Sequence, residues 1–292
     1  MADHLIGVTG STGEVGGRVA RLLAERGVAQ RLIVRDASRA PDLPGAKIVT
    51  ADSYSDVDGM RRALAGVHTL FFVSGREQKD RIAEHISAID SAVAAGVERI
   101  VYLSFLGAAP NATFTLARHH YATEQYIRGT GLAFTAARSS MYLDSMTRYA
   151  GAAGVIRGPA GNGRVAAVSR DDIADVVVAT LTTEGHDGAV YDMTGRELLT
   201  MAEVAEHLTQ LSGREVRYVN ETLDEAWASR SAYGAPDWEV EGWITSYLAV
   251  ATGEMDVVSD TVLRLTGHEP QTLAEFVERH PESLERLRPP GS

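Results

Sequence analysis

The first residues along the chain whose types and spacing could do chemistry are Thr9-Gly10-Ser11-Thr12-Gly13-Glu14-Val15-Gly16-Gly17-Arg18-Val19. They join a short apolar run to a helical pattern, the context in which a glycine triplet binds phosphate. Gly10 would turn the chain tightly, Gly13 would let backbone approach a pyrophosphate, and Gly16 would let the helix lie close on the strand. The helix N-terminus would add free N–H groups and partial positive charge. At the tip of the next strand stand Arg35, Asp36 and Arg39. An acid there accepts from a ribose 2′-hydroxyl and repels a phosphate, whereas arginine takes up a 2′-phosphate. Arg35 and Arg39 favour NADP(H). Asp36 keeps NAD(H) open.

A second chemical clue is a scarcity. The chain has 28 basic residues, but only two of them are lysines, Lys47 and Lys79. A Tyr-x-x-x-Lys couple uses lysine to lower a tyrosine pKa for proton exchange with a carbonyl oxygen. Leu43 and Gly75 precede the two lysines at that spacing, and Tyr121 is followed by Gln125. No such couple can be assembled, so an acceptor that needs little acid assistance is expected. The chain has no cysteine, which removes disulfides, thiol catalysis and Cys-ligated zinc; no metal site is read from the sequence.

These residues need a scaffold, and the pattern supplies one. Strand-like runs at 5–9, 31–35, 47–51, 67–73, 99–104 and 133–138 alternate with helical segments at 14–26, 56–65, 78–95 and 115–129. Such alternation predicts an α/β fold, a Rossmann-type doubly wound parallel sheet. Its strands read as near-continuous apolar runs, as expected when helices cover both faces. Residues 1–153 are expected to form the NAD(P)-binding domain. Residues 154–292 are expected to form a smaller, mainly helical substrate-covering region, with some segments returning to the sheet. A Gly/Ala-rich turn at 151–163 precedes a helix starting near Ser169, strands at 189–193 and 215–220, and helices opened by the capping boxes Thr200-x-x-Glu203 and Thr272-x-x-Glu275.

At 292 residues with 45% hydrophobic and 23% charged content, the composition is that of a globular protein. A formal charge of −11 disfavours nucleic acid as a partner. Apolar runs fall well short of the roughly 20 residues that span a bilayer. No basic-then-apolar leader precedes the first strand. A cytoplasmic protein without membrane partners is expected.

With the segments placed, the sequence resembles the NmrA-like family of atypical short-chain dehydrogenases/reductases, in the branch of quinone oxidoreductase 2-type and triphenylmethane reductase-like proteins. The matching stretches span essentially the whole chain: 9–16, Val34-Arg35-Asp36, Ala51-Asp52, Phe72-Val73-Ser74-Gly75, Tyr102-Leu103-Ser104 and His120-x-Ala122-Thr123-Glu124. Further matches are Arg138-Ser139-Ser140-x-Tyr142, Gly185-His186-Asp187-Gly188-x-Val190-Tyr191 and Gly267-His268-x-Pro270. Ser139 departs from the family's more usual asparagine. The resemblance implies a cofactor site built from Thr9, Gly10, Thr12, Gly13, Glu14, Val15, Gly16, Arg35, Arg39, Asp52, Ser53, Val73, Ser74, Gly75, Ser104 and His120. His120 would contact the nicotinamide ribose; the plain alternative is an exposed helix pair with Glu124.

Protons would come from water, His120 or Tyr142, and the acceptor would be quinone-like or otherwise conjugated and electron-poor, because a hydroquinone oxygen is a weak base. Phe105, Leu106 and Tyr142 are expected in the acceptor pocket, with Trp227, Tyr233, Trp238 and Trp243 as candidates from the second half. Aromatics in a helical tail serve cores or dimer contacts more often, which leaves a homodimer open. The expected activity is an NAD(P)H-dependent oxidoreductase acting on a small-molecule acceptor. The rival reading is a non-catalytic NADP(H) sensor acting through a protein partner.

Overall fold

A computed structural model describes residues 4–287 of the chain. Its centre is a parallel seven-stranded sheet, built from β1 (Ile6–Thr9), β2 (Gln30–Val34), β3 (Ala46–Thr50), β4 (Thr69–Val73), β5 (Arg99–Phe105), β6 (Ala133–Ser139) and β9 (Val190–Met193). The order β3-β2-β1-β4-β5-β6-β9 reverses direction between β1 and β4. That reversal opens a crevice at the carboxyl ends of the strands, where doubly wound sheets bind ligands.

Both faces of the sheet are covered. On one side α1 (Glu14–Glu25) packs with α6 (Arg170–Thr182), and α10 (Thr261–Thr266) packs on α6. Val15, Val19 and Leu23 share their core with Ile173 and Val177. On the other side α2 (Val57–Leu64), α3 (Arg81–Ala94) and α4 (Thr115–Thr130) form a second core with Met60, Ile89 and Ile127. Central strands are buried as expected for helices on both faces. β3 is the exception: it lies at the sheet edge and is half exposed, with Lys47 and Ile48 in solvent.

After β6 the chain runs through α5 (Leu143–Tyr149), β7 (Val155–Gly158) and β8 (Arg164–Val165), then re-enters the sheet half as α6 and β9. The rest comprises β10 (Leu199–Thr200), α7 (Met201–Ser212), β11 (Arg217–Asn220), α8 (Leu223–Arg230), α9 (Asp237–Ala251) and α11 (Leu273–Arg279). It encloses its own core around Met201, Leu208 and Phe276. Both expected capping boxes close, and Thr222 with Glu225 forms a third at the start of α8.

The stretch expected as a turn at 151–163 contains β7, which pairs in parallel with β11. Gly158 explains why composition hid it: a Cβ there would lie 2.4 Å from the Tyr247 ring, so the strand is glycine-bearing because an aromatic lies flat against it. Arg18 on α1 ties the halves together, reaching Asp171 at 2.6 Å and Asp144 at 3.5 Å.

Candidate active site

The first element of the site is the β1–α1 turn. Thr9 is fully buried; its hydroxyl donates to the Phe71 carbonyl and accepts from the Val73 amide at 2.8 Å, locking the ends of β1 and β4 side by side. Gly10 has φ +64, and a Cβ there would sit 2.9 Å from that of Val73. A Cβ on Gly16 would lie 2.3 Å from the Gly10 carbonyl oxygen, so only glycine allows helix and turn to close this far. Gly13 caps α1 without any side-chain hydrogen bond, which leaves first-turn amides for an outside acceptor. The Ser11 hydroxyl is buried and has no hydrogen-bond partner among the described residues. A cradle of free donors at a helix N-terminus fits a pyrophosphate.

This turn opens onto a cavity of about 410 Å³ whose walls include Gly10, Thr12, Gly13, Arg35, Arg39, Ser53, Val73, Ser74 and Gly75. Nine of the residues expected to hold the cofactor therefore meet in one place. Glu14, Val15 and Gly16 form the first turn of α1 beside it. Asp36 is turned aside: its carboxylate accepts from the Ser38 amide at 2.9 Å and hydroxyl at 2.6 Å, capping the turn at 37–39. Those Ser38 hydrogen bonds hold its pKa below the usual carboxylate value. Asp52 is exposed and is not part of the cavity wall.

Behind the Val73–Gly75 wall lies a buried polar cluster. His85 Nε2 accepts from the Gly75 amide at 2.8 Å, which places its proton on Nδ1, facing the Thr123 hydroxyl at 2.8 Å. Burial, then the Arg81 charge, pushes the His85 pKa down to about 3. Arg81 is only 3% exposed; Nε donates to the Gly75 carbonyl and Nη2 to His120 Nε2 at 3.1 Å. Its Nη1 has no hydrogen-bond partner among the described residues. His120 must then carry its proton on Nδ1 and donate to the Tyr102 hydroxyl at 3.0 Å. Burial, with the Arg81 charge second, holds the His120 pKa well below the imidazole value. His85 and Arg81 escaped sequence reasoning because nothing local marks them; the one available signal was histidine and arginine on the buried face of α3.

The alternative of an exposed His120–Glu124 pair is incompatible with the packing, since both side chains are buried. Glu124 is held instead by Arg138, through Nε at 2.8 Å and Nη2 at 2.7 Å, and by the Ser104 hydroxyl at 2.6 Å. Ser104 is thus engaged inside the protein and does not line the cofactor cavity.

A larger cavity of about 740 Å³ opens on the second half, lined by Phe105, Phe114, Met141, Tyr142, Trp243 and Tyr247 among others. Of the residues expected to contact the acceptor, Phe105 and Tyr142 line it. Leu106 does not: at 3% exposure it belongs to the core of the second half. Tyr233 and Trp243 also line it and stack edge-on 5.8 Å apart, whereas Trp227 and Trp238 do not. The Ser139 hydroxyl lies 3.2 Å from the Tyr142 hydroxyl and 3.3 Å from the Ser104 carbonyl, and Arg170 covers the Tyr142 ring at 4.3 Å. The Phe105 ring lies 6.2 Å from that of His120. Through Gly75, Arg81, His120 and Phe105, one contact chain therefore links the walls of the two cavities.

A parallel doubly wound sheet with a glycine cradle at its crevice defines a dinucleotide-binding protein. The chain belongs to the NAD(P)H-binding family, whose model matches residues 10–184. It is 32% identical to quinone oxidoreductase 2 of Escherichia coli, over 94% of this chain and 97% of that protein. It is equally identical to the NAD(P)H azoreductase of Xenophilus azovorans, over 94% and 98% respectively. Among solved structures, the E. coli NADPH-dependent quinone oxidoreductase complexed with NADPH superposes with a TM-score of 0.85 at 31% identity, covering 94% of this chain and 99% of that one. Triphenylmethane reductase of Citrobacter sp. complexed with NADP(H) gives 0.83 at 30% identity, covering 94% and 99%. No helix among the described residues is long and apolar enough to cross a membrane.

Proposed function

We propose that the protein is an NAD(P)H-dependent reductase that transfers hydride to a quinone-like or other conjugated, electron-poor acceptor. The observation that carries this reading is the pair of cavities, one with a phosphate cradle and one walled by aromatic rings, linked through Gly75, Arg81, His120 and Phe105. Kinship with a quinone oxidoreductase and an azoreductase supports it. When bound, the reduced nicotinamide supplies the hydride.

The chain's own residues bind and position. The first turn of α1 and Ser11 would hold the pyrophosphate. Arg35 and Arg39, on the cavity wall with Asp36 occupied elsewhere, favour the 2′-phosphate of NADP(H) over NAD(H). His120 is a neutral imidazole whose proton faces a buried phenol, so it orients Arg81 and does not act as an acid. Tyr142 is the proton donor the geometry leaves, because its side chain lines the aromatic cavity where the acceptor would lie. The lack of a Tyr-Lys couple suits an acceptor whose reduced oxygens are weak bases.

The aromatic cavity favours a reductase over a sensor that works without turnover. The deciding measurement is NADPH oxidation at 340 nm against benzoquinone, naphthoquinone and dye acceptors. Steady turnover with at least one acceptor is expected; tight NADPH binding with no turnover on the whole panel would overturn the reading.

A further inference from the structure

Charge on the walls of the larger cavity bears on which acceptors it takes. Four charged side chains line it: Arg157, Arg170, Arg230 and one acid, Glu77. In a chain of formal charge −11 this is a local reversal. Two of the arginines are already engaged. Arg170 lies 3.2 Å from Asp144 and stacks on Tyr142. Arg230, nearly buried, sits 2.8 Å from Glu221 and also donates to the Ala226 and Arg157 carbonyls.

Arg157 is different. Its nearest acid is the same Glu221, whose Oε1 lies 4.0 Å away, beyond hydrogen-bond distance, while Oε2 takes Arg230 at 2.8 Å. Its side chain is 49% exposed. On β7, Ile156 and Gly158 are buried while Arg157 between them is exposed, so strand alternation fixes it on the open side. The exposed Arg157 guanidinium is therefore left with donors to spare, and a guanidinium fork matches a planar or tetrahedral oxyanion. The neighbouring phenols do not neutralise it, because burial raises the pKa of both Tyr149 and Tyr247 and keeps them uncharged. Phe105 and Tyr142 come from the sheet side of the cavity, and Arg157 and Arg230 from the second half, so an aromatic acceptor on the first pair would reach the arginines with a substituent.

Building on the reductase reading, we propose that the cavity selects conjugated acceptors bearing an anionic substituent, such as a sulfonate, carboxylate or phosphate, with Arg157 as the specificity-determining residue. Cationic dyes are correspondingly poor acceptors. No chemical step is added; the substituent only anchors the ring.

The test compares 1,4-naphthoquinone with its 2-sulfonate as acceptors for wild type, Arg157→Gln and Arg157→Lys. The readout is the ratio of kcat/KM for the sulfonate to that for the parent. Arg157→Gln is expected to lower this ratio about tenfold, the worth of one charge-assisted hydrogen bond, and Arg157→Lys to retain most of it. Raising salt is expected to lower the ratio in wild type more than in Arg157→Gln. A parallel titration of tryptophan fluorescence with anthraquinone-2-sulfonate, without NADPH, reads binding directly, and Arg157→Gln is expected to weaken it about tenfold. An unchanged ratio and unchanged binding in Arg157→Gln, or a preference for crystal violet over the sulfonates, would overturn the proposal. If neither naphthoquinone oxidises NADPH, the reductase reading fails while the titration still decides the charge preference.

Discussion

Arg35 and Arg39 on the wall of the cofactor cavity and Arg81 buried behind it concentrate the residue-level chemistry. Arg35 faces the cavity while Asp36 is committed to Ser38, so discrimination rests on the cation. Arg35→Ala is therefore expected to weaken NADPH at least about tenfold, as loss of a charge-assisted contact would, with little effect on NADH. Equal losses for both cofactors in a fluorescence titration would assign the 2′-phosphate elsewhere. Arg81 carries a more unusual load, being a buried guanidinium with two neutral acceptors and one idle nitrogen. Such a charge costs stability unless something compensates it. Arg81→Met is expected to lower kcat/KM for the acceptor while leaving the unfolding free energy within about 1 kcal/mol of wild type, or above it, since the loss of two hydrogen bonds of about 1 kcal/mol each is offset by removal of a buried charge. A large loss of stability measured by denaturant titration would make Arg81 a structural residue.

At the level of elements, two glycines answer for the two cavities. Gly16 brings α1 against the Gly10 carbonyl, and Gly158 brings the Tyr247 ring onto β7. In Gly16→Ala the obstacle is backbone, which cannot yield without moving the helix that caps the phosphate cradle. About 1–3 kcal/mol of destabilisation, typical of overpacking, and loss of NADPH binding are expected. In Gly158→Ala the obstacle is a side chain lining the larger cavity. There NADPH affinity is expected to hold while KM for the acceptor rises. Calorimetric binding of NADPH to both variants separates the cases, and loss of NADPH binding in Gly158→Ala would contradict the division of labour.

The whole molecule should be acid-sensitive for a definable reason. His85 and His120 are buried as neutral imidazoles, with pKa values pushed down to about 3 and well below 6.5 respectively. Below pH 6.5 the unfolded chain binds protons that the folded protein refuses, so stability falls as pH falls, by about 1.4 kcal/mol per unit for each such imidazole. His268 and His280, beside Asp175 and Asp171, have raised values. Their contribution is complete below the unfolded pKa and is lost only as pH rises through the folded one, so it does not offset the acid loss. Unfolding free energies between pH 6.5 and 4.5 should show this slope. His85→Gln should remove about one proton's worth of it, and an unchanged slope would refute the assignment. Because His85 stays neutral in the folded protein until about pH 3, its bond to the Gly75 amide, and NADPH affinity with it, is expected to hold over the same range.

What the sequence determined by itself is local. Strand-helix alternation, the glycine cradle, the capping boxes at Thr200 and Thr272 and the lack of a Tyr-Lys couple all depend on residues near one another along the chain, where backbone geometry and spacing suffice. The tertiary structure decided everything that needs distant segments in contact. It buried Leu106 and Ser104 and paired β7 with β11. It also surrounded His120 with Arg81 and Tyr102, which makes an expected proton source a neutral hydrogen-bonding post. Protonation state and cavity walls follow from desolvation and from partners brought together across the fold, and neither can be read from spacing along one chain.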